Sequence, residues 1–130
     1  ITIMKSVLFV AILFPLSVSF GQVELDAITR ALSQGDAASL SRYFDQRVEV
    51  SILDESDVYA KDQAAAVLKR FFSANRPSSF STVHKGTSSN NNSRYCIGNL
   101  VAGRQTFRVY IYLKSAGGKQ VIQELRFDKE

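Results

Sequence analysis

The chain has one histidine, His84, and one cysteine, Cys96. These are the side chains whose types most directly suggest metal binding, disulfide formation or catalysis. They fall on separate predicted strands without paired spacing, whereas a zinc site needs three or four ligands. A single cysteine also excludes an intramolecular disulfide, so packing must stabilise the fold. No serine nucleophile motif occurs either. We therefore predict no metal site, no cofactor and no catalytic residue.

Acid–base chemistry would require a carboxylate close to His84 in an apolar cavity, together with a donor for a developing oxyanion. The strand acids Glu49 and Glu124 both fall on faces that the alternation of side chains assigns to the outside. Asp26 and Asp45 would reach the histidine only through the placement of the helices. The sequence therefore favours a noncatalytic module that binds a small ligand or a protein. The alternative is an isomerase- or dehydratase-type enzyme with a polar pocket around His84.

Hydrophobic periodicity predicts an α+β domain with two short helices, a strand, a longer helix and four C-terminal strands. The longer helix carries one continuous apolar stripe that includes Leu68 and Phe71. Residues 54–57 are predicted as a turn, and the polar residues 86–93 as a surface loop. The predicted helices span residues 23–33, 36–44 and 61–75, and the predicted strands span 47–53, 79–85, 93–101, 105–114 and 119–128.

Matching the apolar faces of the last three strands predicts their register. Three-residue loops at 102–104 and 116–118 would place Val109 opposite both Ile97 and Leu125. Four polar side chains would then share the inner face with apolar ones, which predicts a polar-lined ligand cavity. The alternative is that the backbone satisfies these groups at a sheet edge. The predicted cavity residues are His84, Tyr95, Asn99 and Gln123.

The opposite face of the predicted strands combines tyrosine and arginine, which protein interfaces enrich. It predicts an interaction surface through which the chain could form a homodimer. The alternative is a solvated face with cross-strand charge pairs. The predicted interface residues are Arg108, Tyr110, Tyr112, Ile122 and Arg126.

Residues 4–21 have the pattern of a secretory signal peptide. Lys5 supplies the positive charge, residues 7–18 are apolar and too short to span a bilayer, and small residues precede Gln22. A buried N-terminal helix is the alternative, and Pro15 disfavours it. We read residues 1–3 as an upstream remnant and predict one exported domain, periplasmic or extracellular, over residues 22–130. No cysteine follows the apolar run, so we predict no membrane anchor after cleavage.

Charge is unevenly distributed along the predicted domain. Residues 22–60 hold three basic and eight acidic side chains, giving −5, whereas residues 61–130 hold twelve and four, giving +8. Such an asymmetry can steer an anionic partner, but the basic residues are scattered rather than clustered. A face with arginine and tyrosine could stack on nucleic acid, yet an exported protein seldom meets it. We predict a small molecule or a protein as the partner, and no nucleic acid.

Several stretches together resemble a known family. These are "YAKDQAAAVLKRFF", "FSTVHKG", "YCIGNL" and "FRVYIYLKSAGGKQVIQELRF", within residues 23–129. They are similar to a secreted family of Bacteroidota, domain of unknown function 4783, in the nuclear transport factor 2-like (NTF2-like), cystatin-like superfamily. The resemblance implies an α+β cone in which a curved antiparallel sheet wraps around the long helix, and an exported location. It implies no activity, because none is assigned to that family and fold alone does not give function.

Overall fold

A computed structural model describes residues 20–88, 90 and 92–130 of the chain. Residues 1–19, which hold most of the predicted signal segment, lie outside the described residues. The elements are α1 (Phe20–Gln34), α2 (Ala37–Ser41), β1 (Phe44–Ile52), β2 (Glu55–Ala60), α3 (Lys61–Ala74), β3 (Pro77–Thr87), β4 (Ser93–Ala102), β5 (Gln105–Ala116) and β6 (Lys119–Lys129).

The strands form one six-stranded mixed sheet in the order β2-β1-β6-β5-β4-β3. Neighbouring strands are antiparallel except β1 and β6, which are parallel. The fold is therefore α+β, with the short β2 and the eleven-residue β3 at the two edges. None of the helices within the described ranges combines the length and the hydropathy needed to cross a bilayer.

The turn between α1 and α2 depends on two residues. Gly35 has a φ of 64°, a left-handed conformation that glycine adopts without strain and that commonly ends a helix. The carboxylate of Asp36 then accepts hydrogen bonds from the Ser39 hydroxyl at 2.6 Å and the Ser39 backbone N–H at 3.1 Å. These bonds lower the pKa of Asp36 and cap α2 at its N-terminus.

The helices pack against one face of the sheet, which we call the inner face. The ring centroid of Phe71 in α3 lies 4.8 Å from that of Phe127 and 5.2 Å from that of Phe107. Phe72 adds a second contact with Phe127, at 6.1 Å. Because α3 meets both β5 and β6, its apolar stripe closes the core. Other buried inner-face side chains are Leu100, Val109, Ile111, Leu113, Ile122 and Leu125.

The prediction that residues 54–57 form only a turn is wrong. The turn is confined to Leu53 and Asp54, and β2 begins at Glu55 and pairs with β1. Five of the six β2 side chains are exposed, Tyr59 being the exception. A strand with so little burial shows no alternation in its sequence, so it could not be recognised from periodicity.

The predicted register of β5 and β6 is also wrong. The hairpin turns on two residues, Gly117 and Gly118, with φ angles of 58° and 79°, as two-residue hairpins commonly require. Gln123 has no partner on β5 and forms a β-bulge in β6. Because of this extra residue, Leu125 pairs with Ile111. A two-residue turn without a bulge would have mixed polar and apolar side chains on each face, and the bulge removes that conflict.

The register of β4 against β5 differs from the prediction by one residue. The turn is Gly103 and Arg104, with Gly103 at a φ of 63°, so Gly98 rather than Ile97 lies opposite Val109. A slip of one residue moves every side chain to the other face. Cys96 and Leu100 therefore lie in the core, and Ile97 and Asn99 lie on the other face of the sheet.

Candidate interaction surface

Of the four residues predicted to line an interior cavity, the structure places three on one face of the sheet and the fourth, Gln123, elsewhere. Tyr95 and Asn99 lie on the face of the sheet opposite the helices, in register with Tyr112 and Arg108. The face assigned to them was wrong because of the one-residue slip in β4. His84 pairs with Ile97 and shares this opposite face.

Gln123 lies apart from the other three, at the bulge in β6. Its side-chain Nε2 donates to Oδ2 of Asp45 at 3.4 Å, a long contact between β6 and β1. The amide is thus in contact with a neighbouring strand, and the structure does not bring it together with His84.

We call the side of the sheet opposite the helices the open face. Its centre is formed by side chains from β4 and β5 that are half-buried by one another. Tyr95 lies opposite Tyr112, and Ile97 lies opposite Tyr110. Arginines and a glutamate from β5 and β6 surround this centre. The open face comprises Tyr95, Ile97, Asn99, Arg108, Tyr110, Tyr112, Glu124 and Arg126, with His84 at its β3 side.

Four of the five predicted interface residues, Arg108, Tyr110, Tyr112 and Arg126, lie on the open face. The exception is Ile122, which is 0% exposed and belongs to the core. The bulge at Gln123 explains this correction, because before the bulge the inner positions of β6 are even-numbered and after it they are odd-numbered. Val121, which precedes the bulge, lies opposite Lys114 and is half-buried.

His84 is held by Tyr95. The Tyr95 hydroxyl and His84 Nε2 are 2.7 Å apart, and the two ring centroids are 5.4 Å apart. Gly86 allows this arrangement, because a Cβ at that position would lie 2.6 Å from Cζ of Tyr95. The absence of a side chain on β3 thus lets the Tyr95 ring lie across the strand and reach the histidine.

Charged side chains on the open face are paired with neighbours on the same face. Arg126 Nη2 donates to Oε1 of Glu124 at 2.9 Å, and the guanidinium lies 5.9 Å from the ring centroid of Tyr110. Arg108 Nη2 donates to Oε1 of Glu130 at 3.1 Å. Such exposed pairs add little stability by themselves. They do keep the guanidinium groups close to the tyrosine rings.

Burial raises the pKa of Tyr110, and the nearby Glu124 carboxylate and Tyr112 raise it further. The tyrosine at the centre of the open face is therefore neutral over a wider pH range than an exposed tyrosine. Beside it, two polar atoms are buried without a hydrogen-bond partner in the described part of the chain, Oδ1 of Asn99 and Nε of Arg108. These two residues lie opposite each other on β4 and β5.

The chemistry available to His84 is limited by its surroundings. The group that hydrogen-bonds its Nε2 is the Tyr95 hydroxyl and not a carboxylate. Among the described residues, no three of the side chains His, Cys, Asp and Glu cluster as a metal site would require. Cys96 is buried in the core, and burial raises the pKa of its thiol.

Sequence reasoning missed that Tyr95 and Asn99 share a face with the predicted interface. The relevant signal is Gly98, whose place on the inner face is filled by Phe80 from β3. A glycine at an inner position makes the core side of β4 look less apolar than the side that carries Ile97. The sequence therefore favoured the wrong face for this strand.

Residues 25–128 match a family described as a domain of unknown function, DUF4783. Solved structures include a DUF4783 family protein from Bacteroides uniformis, 28% identical, with a TM-score of 0.76 over 81% of this chain and 95% of that one. A DUF4783 family protein from Bacteroides ovatus is 29% identical, with a TM-score of 0.76 over 80% and 93%. No curated protein matches the chain.

A more distant structure shows the wider fold class. An NTF2-like protein of unknown function from Silicibacter pomeroyi is 12% identical, with a TM-score of 0.63 over 87% of this chain and 95% of that one. At this identity the likeness concerns the fold alone. The chain therefore has an NTF2-like fold.

Proposed function

Because the chain belongs to the DUF4783 family and has an NTF2-like fold, we propose that it is a noncatalytic module that binds a protein partner through the open face of its sheet. The observation that carries the proposal is the group of large side chains at the centre of that face, Tyr95, Ile97, Tyr110 and Tyr112. Aromatic anchors surrounded by charged residues are typical of the centre of a protein interface.

The partner that this face fits best is a second copy of the chain. Acidic side chains, Glu49 and Glu124, lie on its β1 and β6 side, and His84 lies on its β3 side. A two-fold axis parallel to β5 would set β6 and β1 of one copy against β4 and β3 of the other. Glu49 would then approach His84 twice in the pair, which makes the face complementary to itself.

The same proposal covers location and shape. We propose that residues 4–21 are a signal peptide and that residues 22–130 act as one exported domain in the periplasm or outside the cell. We also propose that the sheet is curved around α3 so that the open face is its outer surface. Contacts of Phe71 with both β5 and β6 support this arrangement.

The test is the dependence of molecular mass on concentration, measured by sedimentation velocity. We expect the wild-type chain to dimerise and Ile97→Lys to raise the dissociation constant by about thirtyfold or more, since a buried cation at each copy's interface is costly. Leu53→Lys is the matched control, because Leu53 is 43% exposed and lies in the turn between β1 and β2. We expect it to leave the dimer intact.

A wild-type chain that stays monomeric at every concentration would reject the second copy as the partner. Dimers of equal strength in Ile97→Lys would reject the open face as the binding surface. Both variants should keep the wild-type circular dichroism spectrum, since neither side chain belongs to the buried core.

A further inference from the structure

His84 reaches the open face because of a β-bulge in β3. Thr82 pairs with Gly98 on the inner face, whereas His84 pairs with Ile97 on the open face, and Val83 between them has no partner on β4. Without this extra residue, two positions that are two residues apart on one strand would lie on the same face. A bulge commonly redirects a side chain in this way.

The imidazole is exposed on the open face, and few charged groups of its own chain are close to it. The titratable group that contacts it from β4 is the Tyr95 hydroxyl, 2.7 Å from Nε2. Lys85, the next residue of β3, pairs with the buried Cys96 and therefore lies on the inner face. The helix α1 also packs against β3 from the inner face. The sheet therefore separates the imidazole from the charged residues of α1, which are Glu24, Asp26 and Arg30.

Protonation changes what His84 can bind. Histidine is the side chain whose charge ordinarily changes between about pH 5 and pH 8. One ring nitrogen carries hydrogen in the neutral form, and both do in the cation. Once the ring has taken a proton from water, Nε2–H donates to the Tyr95 oxygen, and Nδ1–H is left to donate to another group. A carboxylate of a partner would therefore bind the cation more tightly than the neutral ring.

A suitable carboxylate, that of Glu49, lies on the other side of the open face. It accepts a long hydrogen bond, 3.4 Å, from the Ser56 hydroxyl and forms no ion pair within the described part of the chain. Glu124, its neighbour on β6, is instead paired with Arg126 at 2.9 Å. Glu49 is therefore the acidic side chain of this region that has no cation of its own.

The register of the sheet decides which charge on β1 would meet the imidazole. Successive strand pairs place one row of residues across the open face, and this row contains His84, Ile97, Tyr110, Arg126 and Ser51. A two-fold axis parallel to β5 keeps a row at the same height and exchanges its ends, so His84 of one copy would lie near Ser51 of the other. Along β1, Glu49 is about 7 Å from Ser51 and Arg47 about 13 Å. The carboxylate is the nearer of these two charges.

We propose that protonation of His84 strengthens the pairing of two copies of the chain through the open face. This inference rests on the proposed function, because the Glu49 that meets each His84 belongs to the second copy. The dimer holds the imidazolium next to a carboxylate, whereas the monomer exposes it to water, so the dimer binds the proton more tightly. By linkage, dimerisation is favoured as pH falls through the histidine range, and each copy takes up one proton.

The test is sedimentation velocity of the wild-type chain at about pH 5.5 and about pH 8, near the two ends of the histidine range. We expect the dissociation constant to be about tenfold lower at the acidic pH, because each of the two pairs changes it about threefold. Equal constants, or a weaker dimer at the acidic pH, would overturn this inference and leave the open-face dimer standing. A chain that is monomeric at both pH values would reject the dimer and this inference with it.

Two variants assign the residues. His84→Gln can still form a hydrogen bond with Tyr95 but does not titrate, and Glu49→Gln removes the carboxylate. Both should dimerise with the same dissociation constant at the two pH values. Asp57→Asn is the matched control for Glu49→Gln, because Asp57 is an exposed carboxylate on β2 that pairs with the buried Val50, on the inner face. It should keep the wild-type pH dependence. A pH dependence that persists in His84→Gln or Glu49→Gln would contradict the assignment.

Discussion

The two faces of the sheet are made by the same strands, yet they are packed in different ways. On the inner face, Ile111, Leu125 and Phe127 are 0% exposed and contact the helices and one another. On the open face, Tyr110 and Tyr112 are covered only in part, by neighbours on the same face. Both faces carry large side chains, but only one has helices to cover them.

This difference separates folding from binding. Side chains of the inner face are buried when the chain folds, so their contribution appears in the free energy of unfolding. Apolar area on the open face is still in contact with water after folding, so its burial remains available for association. Substitutions on the two faces should therefore affect two different measurements.

The largest expected effect is loss of stability on the inner face. Phe127→Ala should lower the free energy of unfolding by about 3 to 5 kcal/mol, because it removes ring contacts with Phe71 and Phe72 and leaves a cavity. Tyr112→Ala on the open face should lower it by only about 1 kcal/mol in the monomer. The measurement is urea unfolding at concentrations low enough to keep the chain monomeric.

Similar losses in Phe127→Ala and Tyr112→Ala would contradict the separation of the two faces. The same samples should be compared by sedimentation. In sedimentation, Tyr112→Ala should weaken the dimer. That result would show that Tyr112 contributes to association, whereas Phe127 contributes to the stability of the folded chain.

The sequence predicted most elements of this fold because their burial is regular. The stripe of α3 and the alternation in β5 identify a helix and a strand whose inner residues, such as Phe71 and Val109, are buried as expected. Family resemblance added the fold class. Neither source could show that β2 continues the sheet, because its side chains are mostly exposed.

The candidate surface was harder to predict than the fold because it depends on register. One residue of slip in β4 and one bulge in β6 moved Tyr95, Asn99 and Ile122 to faces other than those predicted. Glycines in a turn can form a two-residue or a three-residue loop. Contacts between strands that are far apart in sequence decide which of the two has the lower free energy. Phe80 filling the space at Gly98 is one such contact.

The second comparison concerns two glycines, one for each face. A Cβ on Gly98 would meet the Phe80 ring and lie 2.6 Å from the backbone oxygen of Ser81, so β3 would have to shift. Gly98→Ala should therefore lower the free energy of unfolding by about 2 kcal/mol, as overpacking of a core does. Urea unfolding measures this change.

Gly86→Ala should cost less, below about 1 kcal/mol, because the ring it meets belongs to Tyr95 and can move towards solvent. That movement should break the hydrogen bond with His84, which NMR of the imidazole resonances would detect. If Gly86→Ala destabilised the chain as much as Gly98→Ala, the open face would be as tightly packed as the core.

The smallest expected effect is a pH dependence that belongs to the open face. Burial raises the pKa of Tyr110, followed in importance by Glu124 and Tyr112, so the folded chain holds this proton more tightly than the unfolded chain. The stabilisation is fully present below the unfolded value of about 10 and is lost as pH rises through the folded value. Solvent screening keeps the change small.

Spectrophotometric titration of the tyrosine side chains tests whether the pKa of Tyr110 is raised. Tyr110→Phe should remove the tyrosine titration whose pKa is raised. A second copy on the open face would bury Tyr110 further, so its pKa in the wild-type chain should be higher at protein concentrations that give the dimer than at concentrations that give the monomer. Equal values in the two would mean that the partner covers a different surface, and an unaltered titration in Tyr110→Phe would mean that the raised pKa belongs to another tyrosine.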